Sequence, residues 1–223
     1  MRSFGMLVTL VTIVFFSAVN GLMAQDWEYS QHIAVNTKAE MRGLTLDSDT
    51  NLYAITFHKD AATVTGPQGT FVSPHVNNQD ILVMKLQPGG DTLWTRSIAG
   101  GQSDYPRQIE LDDNDDPFVT GIYRRSALSI QGTLLPNPQT ERPTDPGYDI
   151  FLSQYSSDGG DVFAKRVAWG PLDDVVDKIA VDDANNVYMV GTYYDTLAFG
   201  PDTLFTPNPT DKYIFLAKFK PNG

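Results

Sequence analysis

The feature that most constrains this chain is that it repeats itself. Asp80-Ile-Leu-Val-Met-Lys-Leu86 lies over Asp149-Ile-Phe-Leu-Ser-Gln-Tyr155 at an offset of 69 residues. The match runs on without a gap: Gly90 falls on Gly159, Trp94 on Phe163, Arg96 on Lys165, Ile98 on Val167, Ala99 on Ala168 and Asp104 on Asp173. One inserted residue later, Ile109-Glu-Leu-Asp-Asp-Asn-Asp-Asp-Pro-Phe-Val-Thr-Gly121 meets Ile179-Ala-Val-Asp-Asp-Ala-Asn-Asn-Val-Tyr-Met-Val-Gly191. Leu44-Thr-Leu-Asp-Ser-Asp-Thr-Asn-Leu-Tyr-Ala-Ile-Thr56 carries the same core in an earlier copy, and Tyr213-Ile-Phe-Leu-Ala-Lys-Phe219 gives a last partial match. A supersecondary unit of this size cannot bury its apolar face alone, so the copies must stack.

Each copy reads as short strands with period-2 alternation, bounded by Gly, Asp, Asn and Pro. The spacing predicts strands over 80–86, 92–98, 107–111 and 118–123, with their counterparts over 178–181, 187–193 and 213–219. Gly 18 and Pro 14 suit many turns rather than long helices, and no window after the N-terminal apolar run shows helical periodicity. After each returning strand comes a variable stretch with a small shared pattern: Ala62-Thr-Val-Thr-Gly66, Leu128-Ser-Ile-Gln-Gly132 and Leu197-Ala-Phe-Gly200. Pro-rich polar loops follow over 135–147 and 206–212, and these are the places where recognition would sit. The expected fold is all-β: about three four-stranded antiparallel propeller blades of 65–70 residues, copies at about 27–91, 92–160 and 161–223, forming an open arc or part of a longer propeller.

The pattern Asp-Ile-Phe-Leu-(x)-(x)-Tyr, a Gly turn, an aromatic and basic strand, then Ile-(x)-Val-Asp-(x)3-Asn-Val-Tyr-(x)-Val-Gly resembles the bacterial β-propeller repeat known as the SBBP family. The best match is in the third copy, at Asp149 to Tyr155, Trp169-Gly170, Ile179 to Asp182 and Asn186 to Gly191. The resemblance covers about residues 27 to 223. It implies an exported protein of Bacteroidetes type, of the kind found among type IX secretion substrates, and it carries over no catalytic residues. The family often places a sorting domain after the repeats, and none is seen before Gly223.

The N-terminus reads as an address. Arg2 precedes the apolar run Met6 to Phe16 and the small and polar residues Ser17 to Gly21, the order of a secretory signal peptide. Residues 1–24 are expected to be removed after Ala24, leaving a repeat region over 25–223. The run is too short to span ~30 Å of hydrocarbon, so no membrane span is expected after signal removal. Export, to the medium or the outer cell surface of a bacterium, agrees with a chain that has no cysteine.

Lys+Arg 16 against Asp+Glu 27 gives a net charge of -11, which repels phosphate backbones and argues against nucleic-acid binding. The acidic turns Asp47-Ser-Asp49-Thr-Asn51 and Asp112-Asp-Asn114-Asp-Asp116 place oxygen side chains at positions 1, 3 and 5, so Asp47, Asp49, Asn51, Asp112, Asn114 and Asp116 are weak calcium candidates. In the third turn, Asp182 to Asn186, Ala184 removes the middle ligand. A hairpin turn is the simpler reading. His32, His58 and His75 form no metal pattern, and no nucleophile elbow or phosphate loop is present. Gly100-Gly101-Gln102-Ser103-Asp104 reads as a turn between blades, because its counterpart lacks the serine. No catalytic residue, cofactor or metal is assigned beyond the weak calcium option. Trp27, Trp94, Phe163, Tyr53, Phe118 and Tyr188 are read as packing between blades; Trp169, Tyr193 and Tyr194 are weak candidates for a ligand-stacking platform.

The expectation is therefore a non-enzymatic repeat module that binds a protein or glycan through blade loops. The alternatives are part of a polysaccharide hydrolase or lyase, or a spacer in a longer adhesin. A spare strand over 27–33 and an incomplete last copy predict an unpaired sheet edge at each end; a fragment of a longer propeller, the favoured reading, would leave such edges bare, and a homodimer of two arcs, self-associating through them, is the alternative.

Overall fold

Three hairpins share one five-residue turn, and that turn shows why the repeat is built as it is. In Asp47–Asn51, Asp112–Asp116 and Asp182–Asn186 the first residue's amide bonds the fifth residue's carbonyl, and the fourth residue's amide bonds back to the first. The fourth residue is left-handed each time: Thr50 (φ 64), Asp115 (φ 61) and Asn185 (φ 59). This is the short hairpin loop closed by an αL residue. The leading aspartate accepts from the amides two and four residues on, as in Ala184 N to Asp182 Oδ1 at 3.0 Å and Asn186 N at 2.8 Å. Only the amide of the middle residue is used, so alanine serves there as well as aspartate or asparagine.

The computed structural model describes residues 34–35, 38–59, 62–66, 69–73, 78–130, 132–141, 143 and 147–220, all within the unit Gln31–Gly223. The expected signal peptide, the strand over 27–33, His32 and His75 lie outside the described residues. In chain order the elements are β1 (Ala34–Val35), β2 (Lys38–Leu46), β3 (Leu52–Lys59), β4 (Ala62–Gly66), β5 (Gly69–Ser73), β6 (Gln79–Leu86), β7 (Thr92–Gly100), β8 (Tyr105–Leu111), β9 (Pro117–Tyr123), β10 (Leu128–Ile130), β11 (Thr133–Leu134), the helical turn α1 (Pro138–Glu141), β12 (Asp149–Tyr155), β13 (Asp161–Ala168), β14 (Val175–Val181), β15 (Val187–Tyr193), β16 (Thr196–Phe199), β17 (Asp202–Phe205) and β18 (Tyr213–Phe219). Among the described residues the protein is all-β apart from α1, with antiparallel sheets that do not close into a ring.

The strands sort into three blades: β2-β3-β6-β7, β8-β9-β12-β13 and β14-β15-β18. The phase of a sequence repeat is arbitrary, and the sheets fix it: a blade ends with the Trp94-type strand rather than starting with it. Between the second and third strands of each blade sits an extra hairpin, the variable stretch of the sequence. This hairpin reaches back to the blade before. β10 pairs with β7 through Leu128↔Gly100, Ser129↔Ala99 and Ile130↔Ile98. β16 bridges the end of β13 through Trp169↔Ala198. β4 pairs with β1, which holds the same place in the repeat. The hairpin acts as a clip that covers part of an edge the preceding blade would otherwise leave open.

Most of the core lies in the joints between blades, and Ala54, Leu82, Met84 and Leu86 form a smaller buried cluster on the other face of β3 and β6. The first joint packs Tyr53, Ile55, Ile81 and Val83 of the first blade on Ile109, Val119, Tyr123 and Phe151 of the second, with Leu128 from the clip. The second joint repeats these positions except one, Thr120 standing where the first blade has Ile55: Phe118, Ile150 and Leu152 meet Ile179, Met189, Tyr193 and Phe215, with Leu197 from the clip. Burying such residues contributes about 1.5–3 kcal/mol each.

Candidate functional site

Polar groups clamp the rim of the first joint. Tyr53 donates its hydroxyl to the carbonyl of Asp115 at 3.0 Å. Lys85 Nζ and Trp94 Nε1 both donate to the Ser157 carbonyl at 3.1 Å, and Arg96 Nε donates to the Gly159 carbonyl at 2.7 Å. Ser48 donates its amide and hydroxyl to the Asp115 carboxylate. The receiving loop needs Gly159, which has φ +85, and a Cβ there would lie 2.9 Å from the Trp94 ring. Behind the clamp, Lys85 pairs with Asp47 at 3.0 Å and lies 4.7 Å over the Tyr53 ring. Burial pushes the Asp47 carboxyl upward, but the hydrogen bonds of Asn51 and Lys85 outweigh it and hold the group below the usual range.

These contacts account for the acidic turns. Asp47 accepts from the amides of Asp49 and Asn51 and from Asn51 Nδ2 and Lys85. Asp112 accepts from the amides of Asn114 and Asp116 and from Gln154 Nε2. Their carboxylates face N–H donors and, at Asp47, an ammonium group. The remaining calcium candidates, Asp49, Asn51, Asn114 and Asp116, take part as turn residues. Asp116 also accepts from the Ser157 amide at 2.6 Å.

Trp169, Tyr193 and Tyr194 have three different settings. Trp169 bridges to the third clip with the Arg166 guanidinium 4.5 Å over its ring. Tyr193 is buried and packs on Tyr213 at 6.2 Å, so its ring faces the second joint. Tyr194 alone lines an open cleft of about 400 Å³, with Arg124, Gly147, Leu172, Asp173, Pro209 and Thr210, and Lys212 lies 5.5 Å over its ring. His58 is fully buried in β3, opposite Asp80.

Sequence reading missed a set of buried carboxylates. Asp80, Asp104, Asp149 and Asp174 are all fully buried. Asp80 and Asp149 are register equivalents at the starts of β6 and β12. Asp104 and Asp174 lead into β8 and β14, and their amides bond to the Gln79 and Tyr148 carbonyls. The buried counterpart of Asp104 is therefore Asp174, so the inserted residue falls before it and not after Asp173. A Cβ on Gly100 or on Gly170 would lie 2.9 or 2.6 Å from the carboxylate of Asp104 or Asp174, which makes the glycine–aspartate pairing a second repeated device. Burial first, and the neighbouring Asp80 second, push the Asp104 carboxyl well above its ordinary 3.8; the Gly100 amide opposes this weakly. A raised carboxyl pKa in the folded state adds stability at pH values below the unfolded pKa, and that stability is lost as pH rises through the folded one. Asp104→Asn is therefore expected to melt higher than the parent at pH 7, with the gap narrowing below about pH 4; a scanning-calorimetry series across pH checks this.

The third blade differs from the other two on its forward face. Ile81, Ile150 and Ile214 share one register position, and Val83, Leu152 and Leu216 the next on the same face. The residues of the first two blades are 0% exposed, whereas Ile214 is 77% and Leu216 75% exposed. The polar clamp is also repeated there. Lys218 lies 4.7 Å over Tyr188 and 3.6 Å from Asp182, as Lys85 does with Tyr53 and Asp47. Hydrogen bonding from Asn186 holds Asp182 down at about 2. At the rear edge of the first blade, Leu44 is 64% exposed, where its equivalents Ile109 and Ile179 are buried.

No family model matches the chain. An uncharacterized WD repeat-containing protein of Acanthamoeba polyphaga mimivirus is 27% identical over 148 residues, covering 60% of this chain and 10% of that protein. The chain thus spans about a tenth of the length of this curated relative. Together with the clipped blades, the similarity marks the chain as a propeller-like repeat protein.

Proposed function

We propose that the chain is a non-enzymatic protein-interaction module that binds through the forward face of its third blade, and that its partner there is a second copy of the chain. The observation that carries this is the exposure of Ile214 and Leu216 at positions that both other blades bury. The clamp of Asp182, Lys218 and Tyr188 stands ready for loop carbonyls, as Lys85 and Tyr53 use those of Ser157 and Asp115. A second copy offers such loops on its first blade: Gln87–Asp91 has the same hydrogen bonds as Ser156–Gly160, and Gly90 (φ 88) matches Gly159 (φ 85). Its Met41, Leu44 and Leu46 supply exposed apolar surface. A face meeting a different face gives head-to-tail association. Export through the N-terminal leader, and kinship with SBBP-type repeats, belong to the same proposal, as such faces would be on offer outside the cell.

Sedimentation velocity of the full chain tests it. The sedimentation coefficient is expected to rise with concentration up to about 100 µM, enough to populate a weak interface. Leu216→Asp should stay monomeric at an unchanged melting temperature, since exposed substitutions usually stay within about 0.5 kcal/mol. A monodisperse parent at that concentration, or association that Leu216→Asp leaves intact, would overturn the proposal.

A further inference from the structure

The first strand of each blade (β2, β8 and β14) carries a β-bulge at one position, and the bulged residues are Arg42, Arg107 and Asp177. A bulge re-aims its side chain away from the regular pleat. Between the first two blades this places two arginines at one cavity of about 240 Å³, lined by Arg42, Tyr105, Pro106, Arg107, Ile122 and Tyr148. Arg42 is held by Glu40 at 2.6 Å. Arg107 is not held in this way: its Nε is buried and has no hydrogen-bond partner. Burial first, then the charge of Arg42, pull the Arg107 guanidinium below its ordinary range, while Asp177, Tyr148 and Tyr105 work against this. A desolvated guanidinium N–H without an acceptor is costly in a folded chain. In a protein of net charge -11, two arginines sharing a cavity are also against the general trend.

We propose that this cavity binds a carboxylate, carried on the glutamate or aspartate side chain of a protein segment. Paired guanidinium forks suit the two oxygens of a carboxylate. Pro106 and Ile122 give the stem apolar walls. The cavity is smaller than a usual small-molecule site and matches a side chain. Both of its rings are engaged by neighbours. Arg124 lies 4.5 Å over Tyr148, and Tyr105 makes edge contacts to Phe57 at 5.8 Å and Tyr148 at 6.0 Å. The site lies at the first joint, apart from the forward face of the third blade, so either proposal can fail without the other.

The arginine Nε–H signals of the full chain, read by NMR, report on it directly, with Arg107→Met identifying the relevant peak. The probes are acetyl-Ala-Glu-Ala-amide, its Gln counterpart, and sodium sulfate at matched ionic strength. The expected result is a saturable shift of the Arg107 Nε–H peak with the Glu peptide, at least about tenfold weaker with the Gln peptide and with sulfate. Arg107→Met should abolish saturable binding of the Glu peptide without lowering the melting temperature, because it removes an unmet polar group. Equal responses to the Glu and Gln peptides would mean apolar contact alone, and an equal response to sulfate would mean a general anion site. No response from the parent, or a lowered melting temperature with binding retained in Arg107→Met, would mean a structural arginine. Each of these would overturn the proposal.

Discussion

Val83→Asp is expected to leave the chain unfolded, or nearly so, at room temperature. Val83 is fully buried in the first joint, on the face that meets the second blade. The substitution removes buried methyl groups and puts a carboxylate beside two cations that are already engaged: Arg96, opposite in β7, holds the Gly159 carbonyl, and Lys85, two residues on, holds Asp47 and the Ser157 carbonyl. Burying an unpaired charge costs several kcal/mol, and a loss of at least about 4 kcal/mol is most of a typical domain's stability. Urea unfolding followed by far-ultraviolet circular dichroism reads the loss directly.

Gly191→Ala should be nearly as damaging for a different reason. A Cβ at Gly191 would lie 2.1 Å from the Val175 carbonyl and 2.6 Å from the Phe215 ring, and Gly121 meets the same crowding from Tyr105 and Phe151. The carbonyl belongs to a paired neighbouring strand, so relief requires the strands to part. The expected cost is about 3 kcal/mol, at the upper end of overpacking. Gly89→Ala is the control, because nothing lies within 4 Å of a Cβ there. A thermal melt should place Gly89→Ala beside the parent and Gly191→Ala far below it.

Much of the architecture was legible because repetition carries its own register. Aligning Asp80 to Leu86 with Asp149 to Tyr155 located β6 and β12, and the acidic turns located the tight hairpins. The clips were visible only as a weak shared pattern, since one to three residues pairing outside their own blade leave no periodicity of their own. The joint residues were legible as alternating apolar positions, but which face was left uncovered was not: Ile214 reads the same as Ile81 until the stacking of blades is known. The basic cavity was missed for a related reason. Arg42 and Arg107 stand 65 positions apart, and their shared register appears only when β2 and β8 are aligned through Leu46 and Leu111. Tyr193 was misleading because a tyrosine at a strand end looks alike whether it faces solvent or, as here, the joint.

The measurement that tests the blade-on-blade reading most directly is the urea midpoint of Leu216→Asp, determined at a concentration low enough to keep the chain monomeric and set beside that of Val83→Asp. Both substitutions place the same charge at the same register position of the same repeat. The expected result is a midpoint for Leu216→Asp within about 0.5 kcal/mol of the parent, while Val83→Asp loses its transition. Comparable losses in both variants would show that the forward face of the third blade is already covered in the monomer, and would contradict the stacking described here.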